Sequence, residues 1–195
     1  MPSQLEFNTT IAPPLPLRRF SVEQYHQLGE LGVLTPEDRV ELLEGWIIEK
    51  MNQRPIHGFI VGLITELLQS CLPGGMSLRC QLPLTTERSE PEPDIAIVRG
   101  EHSDFRDRHP TGKDCRLVIE VSDTSLEKDR AKALIYREAG VPEYWIVNVA
   151  EKCIERYSFS DSLTEAQRSV ISGAVTAELV LGSGTISIKL EQLFG

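Results

Sequence analysis

The segment from Arg116 to Val149 leaves the rest of the chain the least freedom. It reads RLVIEV, then after Ser122 and Asp123 TSLEKDRAKALIYREAG, then after Val141 and Pro142 EYWIVNV. The outer pieces are short and rich in β-branched and aromatic residues, as strands are. The middle piece has Thr124 as N-cap, Glu127 at the capping-box position and Gly140 as its stop, which predicts a helix of about 15 residues. Strand, helix and strand form a crossover unit, so at least part of the sheet should be parallel, with RLVIEV central.

Other elements group around this unit. Ser21 and Gln24 stand at capping-box spacing and predict a short helix ending near Gly29 to Gly32. RVELLEGWIIEKM carries two apolar runs about Glu44 and Gly45, a hairpin pattern. From His57 to Cys71 the apolar residues Ile60, Val61, Ile64, Leu67 and Leu68 recur at helical spacing, and Pro73, Gly74 and Gly75 end the segment. MSLRCQLPL, PDIAIV and CIERYSF predict further strands, and Ser160 to Gly195 predicts edge strands and a short terminal turn. The proline-rich residues 1–19 are expected to be an extended arm, with residues 20–195 as a single domain.

Glu120 is the anomaly, one carboxylate inside the apolar run Leu117, Val118, Ile119 and Val121. Buried charge is costly without a partner. Asp94 opens PDIAIV, and if that strand pairs with RLVIEV the two carboxylates can converge on a divalent cation as oxygen ligands. The plainer alternative is a lone Glu that points away from the sheet or meets an Arg. Asp129, Lys132 and Tyr136 lie at i, i+3 and i+7 on the following helix and share one face. From there Lys132 can reach the same point, where an ammonium stabilises charge developing on a phosphate and Tyr136 hydrogen-bonds beside it. An exposed ion-pair face explains the same spacing.

Composition narrows the function. With 195 residues and 41% apolar content, one core is affordable. No apolar stretch approaches the roughly 18 residues of a membrane span, and the N-terminus lacks a signal pattern, so an intracellular, cytoplasmic protein is expected. Cys71, Cys80, Cys115 and Cys153 match no zinc-ligand spacing and are expected to be buried free thiols. The net charge of −9 argues against coating nucleic acid through a basic surface, yet allows a nuclease that holds metal with carboxylates. Arg106, Arg108, Lys113 and Arg116 form a candidate basic patch or an ordinary solvated loop. Phosphate-loop, serine-elbow and zinc-helix motifs are missing: GSGT at Gly182 to Thr185 lacks the later Gly, Lys and Ser/Thr, and Ser122 is better explained as a turn residue.

EPDIAIV, LVIEVSDTS and DRAKALIYREAGVPEYWIVN, in that order, resemble the Uma-two family of endonuclease-like proteins within the PD-(D/E)XK restriction-endonuclease-like superfamily. The likeness runs from about Phe20 to about Tyr157. It implies an α/β fold, a restriction-endonuclease-like mixed β-sheet with flanking helices preceded by an N-terminal helix and hairpin. It also implies a Mg2+-dependent endonuclease, with Mn2+ as substitute, that hydrolyses phosphodiester bonds of DNA as a homodimer. The implied metal ligands are Asp94, Glu120 and Val121, and the implied catalytic set is Asp94, Glu120, Lys132, Glu41, His57 and Tyr136. Ser122 stands where the superfamily motif has Lys, and Lys132 is the residue that matches it from the next helix. Glu41 is either a third ligand or water-orienting carboxylate, or a surface hairpin residue; His57 marks a helix start or takes part directly. A non-catalytic interaction or regulatory module on the same fold is the alternative.

Overall fold

The computed structural model describes residues 16–159, 166–181 and 184–195. Most of the expected arm, residues 1–15, lies outside them, as do Gly182 and Ser183. Helix α1 (Val22–Glu30) starts at the expected capping box, Ser21 and Gln24 each bonding the other's backbone N–H at 3.1 Å. It ends in a Schellman turn: Gly32 has φ +67°, and the N–H groups of Gly32 and Val33 donate to the carbonyls of Gly29 and Leu28. Strands β1 (Val40–Leu43) and β2 (Trp46–Glu49) form the expected hairpin. Its two-residue turn puts both Glu44 and Gly45 at positive φ, the geometry whose twist suits a tight hairpin.

Helix α2 (Pro55–Cys71) begins two residues earlier than its periodicity indicates, because Pro55 occupies the first turn, where no N–H is required. Then come β3 (Met76–Cys80), β4 (Ile95–Arg99), β5 (Cys115–Ser122), α3 (Leu126–Glu138), β6 (Glu143–Asn148), β7 (Cys153–Phe159) and β8 (Ala166–Ser172). β3 stops four residues short of the expected MSLRCQLPL: Gln81 turns to φ +50° and donates its N–H to the carbonyls of Pro93 and Asp94. Asp94 immediately precedes β4 instead of opening it. The six strands β3 to β8 stand in sequence order in one mixed sheet, with β5 and β6 parallel and every other pair antiparallel. β5 is thus interior, as the crossover requires. The tail gives β8 as a sheet edge, but β9 (Thr176–Leu181) and β10 (Gly184–Lys189) pair only with each other, ahead of the short α4 (Leu190–Phe194).

Helix α3 departs from the sequence reading at its start. Its N-cap is Ser125, and no side chain caps it, because the Ser125 hydroxyl bonds the Asp129 carboxylate at 2.5 Å. Its end follows expectation. Gly140 has φ +85°, and the N–H groups of Gly140 and Val141 donate to Arg137 and Tyr136, a second Schellman turn.

Strand alternation divides the core into two layers. Leu117, Ile119 and Val121 of β5 share one layer with Trp145 and Val147 of β6, under α2, α4 and the β9–β10 hairpin. Val118, Tyr144 and Ile146 share the other with Ala133 and Tyr136 of α3. Each of these fully buried large side chains contributes about 1.5–3 kcal/mol. By period two Glu120 points with Val118 toward α3. All four cysteines are free as expected; Cys115 and Cys153 are buried, but Cys71 and Cys80 are exposed, because they end α2 and the edge strand β3.

Candidate active site

Five segments bring ionisable side chains to one point beside the C-terminal end of β5. β1 supplies Glu41, the start of α2 supplies His57, the turn before β4 supplies Asp94, β5 supplies Glu120, and α3 supplies Lys128, Asp129, Lys132 and Tyr136. Glu41, Asp94, Glu120, Asp129 and Lys132 are all buried. Lys132 is 3% exposed, which rules out the routine surface ion-pair face. The Lys132 ammonium donates to Glu120 Oε1 at 2.9 Å and pairs with Glu41 Oε2 at 3.0 Å. Tyr136 donates its hydroxyl to the same Glu120 Oε1 at 3.0 Å. Lys128 holds the other oxygen of Glu41 at 3.1 Å.

The two carboxylates expected to converge do so through the backbone. Val121 N–H donates to Asp94 Oδ2 at 2.8 Å, and Asp94 N–H to Glu120 Oε2 at 3.3 Å. His57 Nε2 lies 3.0 Å from Asp94 Oδ2. Gln81 reaches Asp94 Oδ1 only at 3.4 Å. Asp94 Oδ1 and Glu120 Oε2 therefore have just long, weak partners, and both residues line a cavity of about 70 Å3 together with Val121.

Charge is unbalanced here. Six carboxyl groups, Glu41, Glu92, Asp94, Glu120, Asp123 and Asp129, line the cavity with four cationic side chains, Lys50, Arg54, Lys128 and Lys132, and the His57 imidazole. Burial pushes the Glu120 carboxyl well up, with Asp94, Asp129 and Glu41 adding repulsion that Lys132 only partly offsets. Asp129 is raised mainly by burial as well. Burial would also raise Glu41, but Lys132 and Lys128 hold it below the ordinary carboxylate range. For Lys132 burial works downward, and Glu120, Glu41 and Asp129 reverse it, so the side chain stays an ammonium at any physiological pH. His57 is likewise raised: desolvation opposes its charge, and Asp94 outweighs that.

All the expected site residues therefore meet in one place: Asp94, Glu120, Val121, Lys132, Glu41 and His57 line the cavity, and Tyr136 lies behind Glu120. Glu41 is 1% exposed and is no surface hairpin residue. The Arg106, Arg108, Lys113 and Arg116 segment contributes nothing to the lining, and Arg108 is held by Asp114 at 2.8 Å. Rim cations come instead from Lys50, Arg54 and Lys128, paired with Glu92, Asp123 and Glu41. Sequence reasoning passed over Lys50, Arg54 and Gln81, which lie in loops without pattern; Asp129 and Lys128 were visible beside Lys132 in the helix. Among the described residues no three His, Cys, Asp or Glu side chains form a ready-made metal cage. Asp94 and Glu120 still fit a hard divalent cation of the Mg2+ type, which uses one or two carboxylates and keeps several waters.

The architecture is that of restriction-endonuclease-like α/β proteins. A crystal structure described as "a putative nuclease belonging to DUF820", from Anabaena variabilis, has the same fold with a TM-score of 0.68; the match spans 90% of this chain and 97% of that one at 17% identity. The sequence model of the Uma2 family, described as "Putative restriction endonuclease", matches residues 22–187, and the chain belongs to that family. No curated protein matches it at a significant level. No helix among the described residues is long and apolar enough to cross a membrane.

Proposed function

We propose that the protein is a Mg2+-dependent endonuclease that hydrolyses DNA phosphodiester bonds, working in the cytoplasm as a homodimer. The observation that carries this reading is a buried cluster with more carboxylates than cations, in which Asp94 and Glu120 each turn a weakly satisfied oxygen to one cavity. Asp94 and Glu120 would hold the metal, with Val121 contributing through its main chain. Bound there, Mg2+ supplies Lewis acidity and lowers the pKa of water.

The protein's own groups have separable tasks. Lys132 has two donors engaged by Glu41 and Glu120, and its third N–H remains for a phosphate oxygen on which negative charge develops. Because Lys132 is locked as a cation, it serves electrostatically and not as a base. Glu41 keeps Lys132 and Lys128 in place, Tyr136 orients Glu120, and His57 orients Asp94; these three are positioning residues. A non-catalytic module is favoured by one feature, that Lys132 already bridges two of the carboxylates in a closed ion-pair network.

Plasmid and branched DNA incubated with Mg2+ or Mn2+ decide between them. Cleavage by the parent, lost in Asp94→Ala and in Glu120→Ala, is the expected result. Equal cleavage by all three proteins identifies a contaminant. No cleavage, together with calorimetry showing no divalent binding dependent on Asp94 and Glu120, leaves the interaction module.

A further inference from the structure

We propose that the groove beside the active site is a subsite for an unpaired nucleotide next to the scissile phosphate, so that the substrate is single-stranded or splayed nucleic acid. This rests on the nuclease reading above. The catalytic cavity, about 70 Å3, has room for an ion and water but not for a nucleotide. The scissile phosphate must therefore lie across its mouth, with the flanking nucleotides outside. On one side a groove of about 840 Å3 opens, within the ~300–1,000 Å3 range of small-molecule sites. It shares Lys50, Gln53, Glu92 and Asp94 with the catalytic cavity, so a strand that presents its phosphate to Asp94 passes its neighbouring residue into this groove.

The groove is built for a base more than for a phosphate. Three rings line it, those of Tyr25, His26 and His109, and the two histidine rings are 6.5 Å apart. Stacking on rings is how proteins hold bases without regard to sequence. Carboxylates at Glu30 and Glu92 and amides at Gln53 and Gln81 offer acceptors and donors to a base edge. A paired, stacked base cannot enter a concave site without being extruded. His26 is also anchored to the buried Glu90 at 2.7 Å, and His109 Nε2 lies 3.8 Å from the same oxygen.

Gly29 allows a direct test. It lines the groove in α1, and a Cβ there would meet nothing within 4 Å, so Gly29→Trp introduces a bulky ring at the groove with no clash at its Cβ. Fluorescence anisotropy in Ca2+ would compare a labelled single strand, a splayed-arm duplex and a blunt duplex. The parent should bind the first two at least about ten-fold more tightly than the blunt duplex. Gly29→Trp should erase that difference and leave blunt-duplex affinity unchanged. His109→Ala, a milder change, should weaken single-strand binding about five-fold or more, the lower end of a lost stacking ring. Equal binding of blunt and splayed DNA by the parent, a preference that survives in a folded Gly29→Trp, or single-strand affinity unchanged in His109→Ala, overturns the subsite and leaves the nuclease reading standing. Failure to bind any of the three forms at low salt overturns both.

Discussion

Lys132 is the residue on which the site's charge turns. Its spacing alone suggests a group that can be removed at little cost to stability, but burial between Glu41 and Glu120 changes that expectation. Lys132→Ala leaves the buried Glu120 without its cation and Glu41 with Lys128 alone, and should destabilise the protein by about 3–5 kcal/mol, some of it recovered when Glu120 takes up a proton. Cleavage should fall about 10²-fold or more. Lys128→Ala, at a side chain 23% exposed, should cost about 1 kcal/mol or less. Urea titration and initial rates on both variants measure this; a fast Lys132→Ala beside a dead Lys128→Ala would move the catalytic lysine one turn earlier. Glu120 adds a pH signature. Its carboxyl is raised in the folded state, so the folded protein holds the extra proton, and the stability this group contributes is present at low pH and lost as pH rises through the raised value. Without metal, the melting temperature should decline along that rise. Mg2+ should reverse the decline, and Glu120→Gln should flatten it.

At the scale of elements, the site depends on where α3 lies against β5. Gly112, in the loop before β5, meets the C-terminal end of that helix so closely that a Cβ would stand 2.3 Å from the Ala139 carbonyl oxygen. Gly112→Ala must push the helix or the loop, and should cost about 1–3 kcal/mol, as overpacking does. It should also lower cleavage, since Lys128, Lys132 and Tyr136 ride on the displaced helix. Gly62 is the control. It lies exposed inside α2 with nothing within 4 Å of an added Cβ, so Gly62→Ala should stabilise by about 0.5–1 kcal/mol. Paired thermal melts of the two variants check both signs.

Across the whole molecule, a chain of net charge −9 cannot hold nucleic acid by a broad basic surface. Its usable cations are the few at the rim, Lys50, Arg54 and Lys128, each already facing a carboxylate. Single-strand affinity should therefore depend shallowly on salt, with a slope of log K against log salt of about −2, as three contacts to a single strand imply. A slope several times steeper would point to a basic surface elsewhere.

Much of this protein was legible before folding was considered, and the reason is range. Capping at Ser21, the turn at Glu44 and Gly45, the stop at Gly140 and the alternation in RLVIEV are decided by neighbours a few residues apart, so one sequence displays them. The crossover helix also carried β5 to the sheet interior, because its handedness and length permit little else. The buried environment around Glu120 had another origin. Glu41, His57, Asp94 and Lys132 meet it from four separate elements, and neither their distances nor their burial has a local pattern. Only the packing of α3 against β5, with the β1–β2 hairpin alongside, turned an ordinary Asp and Lys spacing into a buried ion cluster. Desolvation then made its excess negative charge costly, which is what raises the Glu120 and Asp129 carboxyls.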